Sequence, residues 1–261
     1  MPQVHPRVEL LRFTPLPEQA VAMAGRLCYS QADLSALADA VSSRDQSNYL
    51  KKVSEMGHLS LLEHAGFTFG IEGVSRSLMA QITRHRIASF SVQSQRYVAL
   101  GGEGRGFDYV VPPAIEALGP EEAAEFGRQM DQIDAWYQHW REKLGGERAS
   151  NEDARFVLPN AAATRIIATM NARELKHFCA LRCCRRAQWE IREVATRMLA
   201  LAYREAPALF AAAGPGCISG PCPEGKMTCG RMAAVKQEFE DMRARIDAER
   251  QRSGERHGDQ A

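Results

Sequence analysis

Long apolar runs, an excess of charge and paired cysteines are all missing from this chain of 261 residues. It has no stretch of about 18 apolar residues, so we expect no membrane-spanning helix. Lys and Arg number 33 against 32 Asp and Glu, and the net charge of +1 gives no overall attraction to nucleic acid or membranes. Seven cysteines are few for a chain of this length, and an odd number cannot all be paired, so we expect no disulfide framework. This predicts a reduced, cytoplasmic protein. The first residues, MPQVHPRVELLRFTPLPEQ, lack the unbroken apolar core of a secretory signal.

The common glycine-rich loops that bind phosphates are also missing. The chain has neither a GxxxxGK[ST] sequence nor a GxGxxG sequence after a predicted strand. If the protein binds phosphates, its side chains must therefore do most of the work. No repeat of 20–50 residues is visible, which argues against a solenoid, and an apolar content of 45% is enough to bury a core.

Helix and strand patterns are interspersed along the chain without a strict strand–helix–strand rhythm. Alternating apolar residues predict strands at 8–13 and 67–71, the second closed by Gly73, an extended segment at 90–100 and a β-leaning piece at 161–170. Helical spacing predicts helices at 18–29, 45–56, 76–86, 120–144, 173–184 and 187–203, with Ser75 as an N-cap and Gly57 as a stop.

This order of elements predicts an α+β fold. We expect a single mixed domain at residues 1–230, in which an antiparallel or mixed sheet is flanked by long helices. Residues 231–261 are predicted to form a charged helix followed by a flexible tail, and the glycine-rich stretch 101–106 a flexible loop.

The most informative stretch is residues 81–98, QITRHRIASFSVQSQRYV. Arg84, His85 and Arg86 lie together at the end of a predicted helix, and Ser94 and Arg96 would share one face of the extended segment that follows. Guanidinium groups bind phosphate oxygens in pairs, and a serine hydroxyl adds a neutral donor. An Arg-His-Arg triplet alone is more typical of a solvated helix end, so phosphate binding is the less common alternative on this pattern.

The whole string closely resembles the signature of flavin-dependent thymidylate synthases, which is Arg-His-Arg, seven residues and then Ser, here followed by Arg96-Tyr97. Three further blocks resemble the same family: GHLSLLEHAGFTF at 57–69, ARFVLP at 154–159 and NARELKHFCALRCCRRAQWEIR at 171–192. The resemblance spans roughly residues 7–204, which is most of the chain.

The resemblance implies an enzyme of dTMP biosynthesis that methylates dUMP reductively and so supplies thymidylate for DNA synthesis. It implies 5,10-methylenetetrahydrofolate as the carbon donor and FAD, reduced by NADPH, as the hydride carrier. It also implies a homotetramer with active sites shared between subunits, and no nucleic acid or membrane partner.

The resemblance also assigns roles to individual residues. It implies cofactor binding by His58, Ser60, Glu63, Arg84, His85, Arg86, Asn171, Arg173 and His177. It implies substrate binding by Gln81, Arg84, Ser94, Gln95, Arg96, Arg155 and Arg182, with Ser94 and Arg96 at the nucleotide phosphate. Arg182 would be the catalytic residue, contacting the uracil ring and favouring its N3-deprotonated form.

Two positions depart from the family pattern. Val92 stands two residues before Ser94, where the family often has an acidic residue, and His177 stands where it often has Asn. Any contact made by the acidic side chain must therefore be replaced, and the hydrogen bond of His177 to flavin would differ in geometry.

The position of Arg182 can be examined from helical spacing as well. On an uninterrupted helix from Arg173, Arg182 shares a face with Leu175 and Phe178. An arginine in an apolar stripe is costly unless a partner satisfies it. An internal acidic residue or a snorkelling side chain would serve, and the resemblance favours an anionic pyrimidine instead.

Residues 165–192 contain seven Lys and Arg against two Glu. This density suits an ordinary charged helix face, a nucleic-acid surface or a site for polyanionic ligands. The near-neutral net charge and the absence of a known groove-binding motif weigh against nucleic acid. We therefore favour polyanionic ligands such as FAD, dUMP, NADPH and folate.

The cysteines leave two alternatives open. Cys183 and Cys184 precede Arg185 and Arg186, which could lower a thiol pKa, yet helical cysteines are more often small core residues, and the family needs no enzyme nucleophile. Cys217, Cys222 and Cys229 are separated by four and six residues, with no CxxC pair and no obvious fourth ligand. We therefore predict no metal site, with a zinc protein as the alternative.

Overall fold

The computed structural model of the chain describes residues 2–101 and 106–258, and side chains as far as residue 252. Most of the glycine-rich loop predicted at 101–106 and the end of the predicted flexible tail lie outside the described residues. Within the described part, no helix combines the length and the apolar character needed to cross a membrane.

Four strands and eleven α-helices are assigned within the described residues. The strands are β1 Arg7–Phe13, β2 Gly66–Ser75, β3 Ser89–Val92 and β4 Ala163–Asn171. The helices are α1 Pro17–Leu27, α2 Leu34–Ser42, α3 Ser47–Glu55, α4 Arg76–Ile82, α5 Pro113–Glu116, α6 Pro120–Lys143, α7 Ser150–Ala154, α8 Ala172–Arg182, α9 Trp189–Glu205, α10 Pro207–Phe210 and α11 Met232–Gly258. Short 3₁₀ helices cover Leu59–His64, Arg155–Val157 and Gly225–Met227. The predicted α+β class is confirmed.

The strands form one antiparallel sheet in the order β1-β2-β4-β3. β2 and β4 occupy the centre, and the Oγ1 atoms of Thr68 and Thr169 lie 3.0 Å apart across that pair. Just beyond the strand, the amide of Ala172 donates to the carbonyl of Ala65 at 2.7 Å. Buried and partly exposed residues alternate along β2, as period-two spacing predicts for a strand with one face on the core.

We predicted that Gly73 closes β2, but the strand continues to Ser75. Gly73 adopts φ +66°, and a Cβ at this position would collide with the carbonyl oxygen of His5. Beyond Gly73, the amide of Arg76 donates to the carbonyl of Ala162. This pairing is shifted by one residue from the register in which Thr68 lies opposite Thr169. One extra residue beside a glycine of positive φ is the pattern of a β-bulge, which lets the strand bend without ending.

Side-chain caps explain several helix starts. Ser75 Oγ accepts from the amide of Leu78 at 3.0 Å, so the predicted cap is confirmed. Asp33 caps α2 in the same way through the amide of Ala36 at 2.8 Å. We did not predict α2, although Asp33 and the spacing of Leu37 and Val41 carried its signal.

The described chain divides into two compact units. Unit 1 comprises the chain up to Val8, Gly70–Arg86 and Phe90–Ala168, and one core of this unit packs Phe107, Tyr109 and Met130 together. Unit 2 comprises Glu9–Phe69, Ile87–Ser89 and the chain from Thr169. In unit 2 the rings of Phe67 and Phe210 meet edge to face at 5.3 Å, and Leu175 and Phe178 of α8 are fully buried.

Gly73→Ala should destabilise the protein more than Gly146→Ala, which is the matched control. Both glycines have positive φ, but a Cβ at Gly146 meets open space. We expect a loss in the free energy of unfolding of about 1 kcal/mol for Gly146→Ala from backbone strain alone. Gly73→Ala should lose about 3 kcal/mol because the collision with His5 adds to that strain. Urea denaturation measures both, and equal losses would contradict the close approach.

Candidate functional site

In unit 1, Arg84, His85 and Arg86 follow a helix that ends earlier than predicted. α4 stops at Ile82 rather than at residue 86, and Thr83 Oγ1 donates back to the carbonyl of Met79 at 2.8 Å. A threonine hydroxyl that bonds backward in this way competes with helix continuation. Arg84 and Arg86 are exposed, whereas His85 is only 7% exposed. The turn therefore presents two guanidinium groups to solvent and turns the imidazole inward.

The segment after β3 is a turn, not the extended strand that we predicted for residues 90–100. β3 ends at Val92, and the carbonyl of Ser94 accepts from the amide of Val98 at 3.0 Å. Ser94 Oγ also accepts from the amide of Arg96 at 3.2 Å. The serine thus offers the backbone local hydrogen bonds in place of a strand ladder, so Ser94 and Arg96 share a turn rather than a strand face.

Two of the residues implied for substrate binding, Arg96 and Arg155, contact Glu152 of α7 within unit 1. Arg96 Nη2 lies 2.9 Å from Glu152 Oε2, and Arg155 Nε donates to the carbonyl of Glu152 at 3.0 Å. The guanidinium of Arg148 stacks 4.2 Å from the ring centre of Tyr97. Two arginines separated by 59 positions in sequence, Arg96 and Arg155, therefore both contact Glu152.

Gln81 and Gln95, which are also implied for substrate binding, differ in the hydrogen bonding of their amide side chains. Gln81 Nε2 donates to the carbonyl of Ser77 at 3.3 Å, one turn earlier on α4. Gln95 Nε2 is buried and has no hydrogen-bond partner among the described residues. An unpartnered buried amide is costly and is a group that a bound ligand could satisfy.

Arg76 belongs to the same electropositive region, and sequence reasoning missed it. Burial lowers the pKa of this half-buried guanidinium, and the positive charge of Arg155 lowers it further. Arg76 is also the first residue of α4, where the helix dipole disfavours a cation. A basic residue directly after the N-cap Ser75 was the signal that could have identified it. Like charges held together in this way attract an anion.

Unit 1 also contains a polar cavity of about 550 Å³ that no predicted site residue lines. Arg7, Glu72 and Arg165 form ion pairs on its wall, with Glu72 3.2 Å from Arg7 and 3.9 Å from Arg165. Thr164 also lines it, and its buried Oγ1 has no partner among the described residues.

In unit 2, the 3₁₀ helix Leu59–His64 packs beside the start of α8. Leu62 is buried and anchors the 3₁₀ helix, while His58, Ser60 and Glu63 are exposed. Arg173 Nη1 donates to Glu63 Oε1 at 2.6 Å. Two residues implied for flavin binding are thus paired with one another, although they come from sequence blocks 110 positions apart.

Asn171 and His177 occupy the same part of α8. Asn171 Oδ1 caps the helix by accepting from the amide of Glu174 at 2.9 Å, which leaves its amide nitrogen for other contacts. His177 follows Arg173 by one helical turn, and both side chains are exposed on that face. Lys176, which we did not predict, is half-buried, and burial lowers its pKa.

Arg182 is the last residue of α8 and is half-buried. The helix is uninterrupted from Ala172, and Leu175 and Phe178 on the predicted shared face are fully buried. The position of Arg182 on an apolar stripe, inferred from spacing, is therefore confirmed.

The catalytic-thiol alternative finds little support in the geometry. Cys183 is 2% exposed, and Cys179 is completely buried. The hydrogen bond with Cys183 raises the pKa of Cys179, and burial raises it further. Cys183 is therefore packed in the core, whereas Cys184, the other thiol of this alternative, is half-buried.

The basic segment at 165–192 is largely paired with carboxylates. Arg165, Arg173, Arg185 and Arg186 each form an ion pair, with Glu72, Glu63, Glu238 and Glu224 respectively. Such pairing lowers the positive potential that a nucleic-acid surface requires, and it weakens that alternative.

Comparison with known proteins agrees with these blocks. A family model described as thymidylate synthase complementing protein matches residues 9–208, a range that includes every predicted site residue. The flavin-dependent thymidylate synthase of Geobacter sulfurreducens is 51% identical over 236 residues, covering 90% of this chain and 99% of the relative. That of Clostridium tetani is 43% identical over 242 residues, covering 88% and 96%.

A solved structure supports the fold. The crystal structure of a UMP/dUMP methylase from Streptomyces cacaoi, bound with 5-Br dUMP, superposes with a TM-score of 0.64 at 24% identity, covering 82% of this chain and 98% of that one. At 24% identity, this structural similarity supports the fold alone. Together with the sequence relatives, the family match assigns this chain to the flavin-dependent thymidylate synthases, a family of methyltransferase-type enzymes.

Proposed function

We propose that this protein converts dUMP to dTMP with 5,10-methylenetetrahydrofolate as the carbon donor, FAD as the hydride carrier and NADPH as the reductant. The observation that carries the proposal is the family match over residues 9–208, which contains all of the implied site residues. The reaction balances when the methylene carbon replaces the proton at C5 of uracil and one hydride reduces that carbon to methyl. The two folate nitrogens that release the carbon take up the C5 proton and one proton from solvent. The hydride comes from NADPH, so the folate leaves as tetrahydrofolate.

Each unit by itself carries side chains that suit the phosphates of a dinucleotide. Arg84 and Arg86 present exposed guanidinium groups, and the face of α8 presents Arg173 and His177. These donors replace the glycine-rich loop that the sequence lacks. Bound FAD would supply the hydride that reduces the transferred carbon. We assign its binding to His58, Ser60, Glu63, Arg84, His85, Arg86, Asn171, Arg173 and His177.

We assign the nucleotide to a second set of side chains, with Ser94 and Arg96 at its phosphate. Gln81, Arg84, Gln95 and Arg155 complete this set within unit 1. The positive charge of Arg155 near the half-buried Arg76 and the unpartnered amide of Gln95 support an anionic, hydrogen-bonding ligand there. A phosphate would relieve the first and the uracil or sugar could satisfy the second.

Arg182 acts on the uracil ring in this proposal. A guanidinium beside O2 and N3 stabilises negative charge on the ring, which raises electron density at C5 and makes that carbon a better nucleophile. The half-buried position of Arg182 on an apolar stripe strengthens this electrostatic effect, because fewer water molecules screen the charge.

We further propose that the protein works as a homotetramer whose subunits share active sites. Light scattering coupled to size-exclusion chromatography tests the tetramer. The function itself is tested by the visible spectrum of the purified protein and by dTMP formation from dUMP, the folate and NADPH. A protein that stays colourless after addition of FAD would contradict the proposal.

Arg182→Ala should lower kcat by about a hundredfold or more while FAD stays bound, because the lost charge acts in the transition state. The readouts are turnover and the flavin absorbance of the purified variant. Arg182→Lys is the control, since it keeps the charge but loses the planar pair of donors, and it should retain part of the activity. Normal turnover of Arg182→Ala would overturn the role assigned to this residue.

Arg96→Ala should weaken dUMP binding by about tenfold or more, because a charge-assisted contact to phosphate is lost. Glu152→Gln is the informative partner variant, since it removes the carboxylate that now binds Arg96. We expect Glu152→Gln to tighten dUMP binding modestly and Ser94→Ala to weaken it. Isothermal titration calorimetry at two salt concentrations measures the dUMP affinity of each variant. If Glu152→Gln bound dUMP more weakly than the wild type, competition between Glu152 and the nucleotide phosphate for Arg96 would be contradicted.

Asn171→Asp and Asn171→Ala distinguish the cap from flavin binding. Both remove the side-chain amide nitrogen, but Asp retains an oxygen that can cap α8. We expect Asn171→Ala to lose about 1 kcal/mol of stability and Asn171→Asp very little. FAD affinity, followed by fluorescence quenching, should fall in both variants if the nitrogen donates to flavin. Unchanged FAD affinity in Asn171→Asp would restrict Asn171 to a structural role.

A further inference from the structure

Helix α6 carries polar side chains that have no role in the proposed reaction but contact the segments that carry Arg96 and Glu152. The helix and both segments belong to unit 1. Most residues of α6 are exposed, whereas Tyr137 is completely buried and Gln138 and Arg141 are half-buried. Polar groups withdrawn from water need hydrogen-bond partners, so the partners of these three side chains show what the helix holds in place.

The first contact of α6 is with Leu100, four residues after Arg96. The amide of Leu100 donates to Tyr137 Oη at 3.3 Å, and Gln138 Nε2 donates to the carbonyl of Leu100 at 3.2 Å. The same nitrogen of Gln138 lies 3.3 Å from Asp134 Oδ1, one turn earlier on the helix. Both backbone polar groups of Leu100 are thus satisfied by α6 side chains, which anchors the end of the turn that carries Arg96.

The second contact joins α6 to α7 through Arg141. Its Nε donates to Asn151 Oδ1 at 2.8 Å, and its Nη1 donates to Gln138 Oε1 at 3.0 Å. Asn151 is only 2% exposed and directly precedes Glu152. One planar guanidinium therefore connects the buried amide of α7 to the glutamine that holds Leu100.

These contacts close a ring that includes the ion pair of Arg96 and Glu152. One side of the ring is a chain of hydrogen bonds, the α6 bridge, which consists of Asn151, Arg141, Gln138 and the carbonyl of Leu100. The other side is the ion pair itself, with a separation of 2.9 Å. A phosphate that replaced Glu152 at Arg96 would open only the second side. The α6 bridge would stay closed and keep both segments in place.

We propose that Arg141 and Asn151 are positioning residues, which through the α6 bridge hold the turn of Arg96 where the phosphate of dUMP binds. This role rests on the proposed function, because that function assigns Arg96 to the phosphate. A turn that is ordered before the ligand arrives has less conformational freedom to lose on binding, so the affinity for the nucleotide is higher. The bridge touches the binding of the phosphate and not the uracil ring, so it acts on affinity rather than on the chemical step.

Arg141→Met tests the bridge, because methionine keeps helix propensity and an apolar stem but removes both donors. The KM for dUMP should rise about fivefold, with kcat and the KM for NADPH unchanged. Arg128→Met is the matched control, since Arg128 is an exposed arginine on the same helix, and it should keep the wild-type values. An unchanged KM for dUMP in Arg141→Met would overturn the proposal. So would a lower kcat at unchanged KM, which indicates only a loss of folded enzyme.

Conservative and combined variants separate positioning from a loss of fold. Asn151→Asp keeps an oxygen that accepts from Arg141 and should retain the wild-type KM, whereas Asn151→Ala should raise it about fivefold. The double variant of Arg141→Met and Asn151→Ala should be no worse than either alone, because both break the same bond. Added to Arg96→Ala, Arg141→Met should weaken dUMP binding less than about twofold. A full fivefold loss in that background would show that Arg141 does not act through Arg96.

Hydrogen exchange of the ligand-free wild type needs no variant to fold. The amide of Leu100 should exchange about tenfold or more slowly than a solvated amide, because it donates to the buried hydroxyl of Tyr137. Fast exchange of this amide would overturn the bridge. Wild-type protein that does not bind dUMP would overturn the proposed function and this role with it. Wild-type turnover with an unchanged KM in the bridge variants would overturn this role alone.

Discussion

The pairing of β2 with β4 is the constraint on which the candidate residues of each unit, taken separately, depend. At one end, the bond between Ala65 and Ala172 fixes the 3₁₀ helix Leu59–His64 against the start of α8. At the other end, the bond between Arg76 and Ala162 fixes the start of α4 and hence the turn that carries Arg84 and Arg86. A slip of one residue would reverse the face of every side chain on the strand, so this register decides which groups are buried and which face a ligand.

When no anionic ligand is bound, clustered arginine side chains need another negative partner. In this protein glutamate carboxylates fill that role. Arg96 is paired with Glu152 and Arg173 with Glu63, and about half of each side chain is exposed. Exposed pairs of this kind contribute little to stability, so an anionic ligand can replace the carboxylate at small cost. Burial and, less strongly, the positive charge of Arg155 lower the pKa of Arg76, and a bound anion would offset both effects. Both arrangements favour polyanions over neutral ligands.

Sequence reasoning succeeded where the determinants were local. The cap at Ser75, the stop at Gly57 with φ +78° and the stripe of Leu175 and Phe178 on α8 all follow from neighbouring residues. It failed where tertiary contacts decide. The sequence predicted a strand end at Gly73, but this residue forms a bulge against His5. The alternation after Val92 predicted a strand, but the chain forms a turn at Ser94. The pairs Arg96–Glu152 and Glu63–Arg173 join distant segments, so no local pattern could reveal them.

The loop 214–230 and Arg182 are linked by position on the chain. Gly216 bonds to Ala180, two residues before Arg182, and Cys184 lies two residues after it. The loop therefore holds the last turn of α8 just before Arg182. A helix end otherwise frays, because its last carbonyl groups lack partners within the helix. Fixing this end limits the freedom of the guanidinium that we propose to act on the uracil ring, so a backbone contact remote from the proposed chemistry contributes to its precision.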